Sequence, residues 1–135
     1  MKKTIILSVA LFSCTSVFAA TDHYLLRDGG HTQHLKITKI GDDIRASMDV
    51  DFEPTAPEAE KGLKPCSAQV EGEAKAVAEN ELVLKKQIPE ESRYCSVQIQ
   101  LSGDEARTKQ SQDCKYFLAN FCKFDSEGKA LLKMK

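Results

Sequence analysis

The sequence predicts an all-β fold, a small antiparallel meander closed as a barrel or folded as a sandwich and braced by two disulfides. Three observations carry this expectation. The clearest apolar patterns repeat every second residue, as in strands half buried against one core. Such stretches recur at spacings of roughly 8 to 15 residues, separated by turn-forming residues and without convincing helices between them. Four cysteines, Cys66, Cys95, Cys114 and Cys122, remain once the N-terminal segment is set aside.

That segment, residues 1–19, has the three parts of a cleavable secretory signal. Lys2 and Lys3 form a positive start, residues 5–12 an apolar run, and small or polar residues lead to Ala19. The run is too short to span a bilayer, which takes roughly 20 apolar residues. Val17 and Ala19 stand three and one residues before the Ala19–Ala20 bond, the pattern a signal peptidase accepts, so the mature chain is expected to begin at Ala20. The competing reading is a lipoprotein with Leu11-Phe12-Ser13-Cys14 as its lipobox, for which Phe12 is bulky and the preceding apolar run short.

Export through a signal of this kind places the protein in the periplasm, where an even set of four cysteines reads as two disulfides. A zinc site usually brings its cysteines in close pairs, and the sequence has no Cys-x2-Cys. Loss of Lys2 and Lys3 reduces 19 basic residues to 17 against 20 acidic ones, a net charge near −3. That balance argues against a nucleic-acid or anionic-membrane partner. Residues 20–135 are long enough for one core, and neither repeats nor a shift in composition divide them.

Strand by strand, residues 44–52 put Ile44, Ala46, Met48, Val50 and Phe52 on one face and Arg45, Ser47, Asp49 and Asp51 on the other. A strand over 34–40 precedes it through the turn Gly41-Asp42-Asp43. Residues 94–101 alternate with Cys95, Val97, Ile99 and Leu101 inward, and Ser102-Gly103-Asp104 turns the chain into a strand over 105–111. Weaker strands are expected over 67–74, 82–86, 122–125 and 130–135. Residues 53–65, with three prolines, read as a surface loop or as a connector with a helical turn through 56–61.

Chain-entropy arithmetic gives about 2.6 kcal/mol for a Cys114–Cys122 bridge and about 3.6 kcal/mol for Cys66–Cys95, and crossed pairings score similarly. The inward parity of Cys66 with Ala68 and Val70, and of Cys95 with Val97, favours this sequential pairing.

The runs Cys66-Ser67-Ala68-Gln69-Val70 and Cys95-Ser96-Val97-Gln98-Ile99, followed by Cys114 and by Phe121-Cys122-Lys123-Phe124, resemble small exported β proteins of Gram-negative bacteria. Among these are lysozyme inhibitors and periplasmic immunity proteins. The resemblance covers about half the chain. It implies a β scaffold that neutralises a wall-degrading enzyme or toxin. The Ser-Gly-x-Lys-Tyr loop of membrane-bound lysozyme inhibitors is absent, Ser102-Gly103-Asp104 reads as a turn, and no inhibitory residue carries over.

Little else points to chemistry. His23, His31 and His34 cluster near the mature N-terminus, and His31-x2-His34 offers two metal ligands on a turn, with Asp22 or Asp28 needed as a third. The plainer reading is solvated histidines in a mobile segment beside Gly29-Gly30, and no metal or other cofactor is expected. Cleavage after Ala20 instead would expose Thr21-Asp22-His23, an amine-and-histidine copper chelate, but that cut fits the signal poorly. Asp49, Asp51 and Glu53 read as a solvated strand face rather than a calcium or glycosidase site. The serines lack a Gly-x-Ser-x-Gly elbow, so no catalytic residue is expected.

What remains is residues 115–121, with Tyr116, Phe117 and Phe121 between two cysteines. Aromatics on a cross-linked loop lose little entropy on binding, which makes Tyr116, Phe117 and Leu118 the candidate protein-binding residues. The alternative is a helical turn whose Phe117 and Phe121 plug one end of the barrel, leaving Tyr116 as the exposed member. The expected function is that of a non-enzymatic binding protein whose partner is another protein. The rival is a carrier of a small ligand or metal.

Overall fold

The computed structural model describes residues 19–87, 92–118 and 122–135, with the side chain of Phe117 excepted. The signal and lipobox readings up to Phe18, and the expected plug Phe121, lie outside the described residues. The strands are β1 (Ala19–Asp28), β2 (His31–Ile40), β3 (Asp43–Phe52), β4 (Cys66–Ala78), β5 (Glu81–Gln87), β6 (Tyr94–Ser102), β7 (Glu105–Gln110) and β8 (Leu131–Lys133). Each pairs antiparallel with the next and β8 returns to β1, so the meander is a closed barrel, not a sandwich. Closure removes the free edges that would invite aggregation.

Alternation decides which face looks inward. Leu35, Ile37, Ala46, Met48, Val50, Val70, Leu84, Val97 and Ile99 are all but fully buried, while their sequence neighbours carry the charge of the outer wall. The arrangement is the reverse of a membrane-spanning barrel, whose outer band is apolar. No helix among the described residues is long and apolar enough to cross a membrane. An eight-stranded barrel is just wide enough for side chains to fill, and Phe124, Leu35, Met48, Leu84 and Leu131 fill this one.

The N-terminal segment corrects the expectation of a mobile tail. Residues 19–28 form a full strand because Tyr24 is buried and Leu26 packs on the core, while His23 and Leu25 face out. Gly30 is needed in the turn that follows. A Cβ there would lie 2.0 Å from the carbonyl oxygen of Glu53, whose N–H donates to the Gly30 carbonyl at 2.9 Å.

The connector after β3 contains α1 (Ala56–Glu60), an exposed turn of helix started by a capping box. The Glu58 N–H donates to the Thr55 hydroxyl, and the Glu58 carboxylate accepts from the Thr55 hydroxyl and N–H. The expected strand over 122–125 is irregular chain instead. It lies along β7 through the Ser126 N–H to the Thr108 carbonyl (3.0 Å) and the Thr108 hydroxyl to the Phe124 carbonyl (2.6 Å). From the other side the buried Gln33 amide donates to the carbonyls of Lys123 (3.0 Å) and Asp125 (2.9 Å). Phe124, fully buried, is thereby held as a plug.

The disulfides are Cys66–Cys122 and Cys95–Cys114, nested rather than sequential. The sequential expectation fails because strand register overrides the parity argument. The β6–β7 pairing sets Val97 opposite Gln110, and the same register carried two steps further sets Cys95 opposite Gln112. A 3-10 turn over Gln112–Phe117 then brings Cys114 back onto Cys95. Cys66, first residue of β4, is left for the chain that holds Phe124.

Candidate functional site: the turn pinned by Cys95 and Cys114

The 3-10 turn begins at Ser111, whose hydroxyl accepts from the Ser96 N–H at 3.0 Å, while the Ser111 N–H donates to the Ser96 carbonyl at 2.9 Å. These bonds and the Cys95–Cys114 bridge, with Cα atoms 4.3 Å apart, fix the turn to the start of β6. Tyr116 stands on it 49% exposed. The Arg93 guanidinium lies 5.1 Å from the centre of the Tyr116 ring and donates to its hydroxyl, and the Lys115 ammonium lies 5.3 Å from the same ring.

Of the three residues expected to bind protein, Tyr116 faces solvent, Leu118 is half-buried against the core, and the side chain of Phe117 lies outside the described residues. Sequence reasoning missed Tyr94, one residue before Cys95 and 48% exposed, and Arg93. The signal was present: Cys95 is inward, so Tyr94 has the outward parity of its strand.

The opposite side of this barrel end is fixed by charge. Lys129 pairs with Asp28, and Lys123 with Glu127 at 2.7 Å. The hydrogen bond from Lys129, and then its charge, hold the Asp28 carboxyl below the usual range, and Lys123 does the same for Glu127. Burial pushes the Tyr24 phenol upward.

The histidines are arranged otherwise than expected. On a strand, residues three apart face opposite ways, so His31 and His34 do not share a turn. His31 stacks on Phe52, ring centres 4.4 Å apart, whereas His34 lies on the outer wall with its Nε2 3.0 Å from Nδ1 of His23. Asp49 and Asp51 belong to the outer face of β3, and among the described residues no three His, Cys, Asp or Glu side chains form a metal cluster.

Fold and site together define a small, doubly disulfide-braced, eight-stranded meander barrel that presents aromatic and cationic groups beside one bridge. No family model, no curated protein and no solved structure matches the chain.

Proposed function

We propose that the protein is a non-enzymatic binding protein of the periplasm, exported by residues 1–19, which occludes another protein as an inhibitor or immunity factor against a wall-degrading enzyme or toxin. The observation that carries this reading is Tyr116, half exposed on a turn tied to the barrel by Cys95–Cys114 and flanked by Arg93 and Lys115. An aromatic ring in a fixed position, with cations beside it, is a good anchor for a partner because little conformational freedom is lost on contact. Two disulfides fit an oxidising compartment. The rival reading, a small ligand carried inside the barrel, has less support because side chains fill the interior.

Capture from periplasmic extract tests the reading. A partner retained by the purified protein and released by Tyr116→Ala is the expected result, and a stoichiometric small molecule with no protein partner overturns it. Export is tested by intact mass: the reading requires a chain starting at Ala20 with no alkylatable thiol, and a lipid-modified Cys14 refutes it.

A further inference from the structure

The two disulfides differ in what can reach them. Cys95 and Cys114 are fully buried, the second of them within the 3-10 turn. Cys66 is half-buried between the exposed Pro65 and Ser67, and its partner Cys122 is buried. Thiol–disulfide exchange needs a thiolate to approach one sulfur of the bridge, so Cys66 is the point of attack and the inner bridge is shielded.

The outer bridge also stands where the wall is least complete. β4 pairs with β3 along its first eight residues, from Cys66 opposite Phe52 to Glu73 opposite Arg45. Its ladder with β5 runs only from Ala74, opposite Leu84, to Ala78, opposite Glu81. Among the described residues, 66–73 therefore have a strand partner on one side alone, although Val70 in this stretch is a core residue. The chain after Cys122 crosses the barrel end, hydrogen-bonded to β7 through Thr108 and to β2 through Gln33. Its covalent tie to the β3–β4 side is the bridge to Cys66.

We propose that Cys66–Cys122 is a redox-controlled clasp, which a dithiol opens to loosen the wall between β4 and β5 while Cys95–Cys114 keeps the rest of the barrel intact. One thiolate of the reductant attacks Cys66 Sγ, the bond to Cys122 breaks, and Cys122 leaves as a thiolate that takes up a proton. The second thiolate of the reductant then attacks the reductant's own sulfur in the mixed disulfide, and Cys66 is released and protonated. Two electrons and two protons pass to the protein, and the reductant becomes a disulfide. Residues 66–73 and 122–127 lose their cross-brace, and water gains access to the core at Val70 and Phe124.

The test treats the wild-type protein with dithiothreitol in the absence of denaturant, traps thiols by alkylation and maps them by mass spectrometry. Cys66 and Cys122 should be alkylated together, at least about tenfold faster than Cys95 and Cys114. Hydrogen exchange on the selectively reduced protein should rise about tenfold over 66–73 and 122–127 and stay unchanged over 94–110. A double variant, Cys66→Ser with Cys122→Ser, should show the same exchange pattern without reductant. Loss of both bridges at one rate overturns the clasp, as does reduction that occurs only when the fold is lost. Selective reduction with unchanged exchange over 66–73 overturns the opening and leaves the bridge as a brace.

Discussion

Tyr116 and Phe124 are separated by a few positions in sequence and lie on opposite sides of the distinction between surface and core. Tyr116→Ala removes a ring that touches solvent, Arg93 and Lys115, so the melting temperature should barely move while partner binding weakens by about 1 to 2 kcal/mol. Phe124→Ala should instead cost about 3 to 5 kcal/mol in chemical denaturation, since the ring is fully buried and its segment is held by Gln33 and Thr108. Gly30→Ala should cost about 1 to 3 kcal/mol for a different reason, the clash with the Glu53 carbonyl. A loss of stability in Tyr116→Ala equal to that in Phe124→Ala would move Tyr116 into the scaffold.

At the scale of elements, strands over 44–52 and 94–101 were legible because each alternates cleanly, and those over 34–40 and 105–111 because a glycine turn joins each to one of them. β1 was not, since the outward Leu25 between Tyr24 and Leu26 breaks the apolar alternation and its partner β8 contributes only three residues. The helical turn over 56–61 was one of two readings, and the capping box of Thr55 and Glu58 selects it. Hydrogen bonds from the Thr55 hydroxyl and then its N–H hold the Glu58 carboxyl below the ordinary glutamate range. A carboxylate whose folded pKa is depressed stabilises fully above its unfolded pKa and loses that contribution as pH falls through the folded value. Carboxyl chemical shifts should therefore show Glu58 titrating below a reference glutamate. Thr55→Ala, which removes the hydroxyl and keeps the N–H, should reduce that difference and speed amide exchange over 56–61, with little change in melting temperature because no residue of α1 is buried.

Over the whole molecule, the exposed member of the candidate site was legible from composition, but its cross-link was expected as Cys114–Cys122 and is Cys95–Cys114, and Tyr94 and Arg93 join it only once the barrel closes. The nested pairing needed register: the turn at Gly103 aligns β6 with β7, and that alignment selects Cys114 for Cys95. Peptide mapping without reduction should recover Cys66 with Cys122 and Cys95 with Cys114. Removing the inner pair should cost about 3 kcal/mol and the outer about 4 kcal/mol, from sequence separations of 19 and 56.

The nesting also bears on how the protein matures. On the proposed export route, a chain that enters an oxidising compartment N-terminus first presents Cys66 and Cys95 as its earliest pair of thiols among the four, before Cys114 and Cys122 have arrived. Neither native bridge can close at that stage, and the first available bond, Cys66–Cys95, is one the finished barrel does not contain. Wherever that bond forms, thiol–disulfide exchange must undo it, a step that takes seconds to hours depending on the oxidant and on catalysis. Yield of native protein should accordingly depend on a disulfide isomerase more than on an oxidant. Acid-trapped translocation intermediates should hold the Cys66–Cys95 bond early and lose it as the C-terminal third docks.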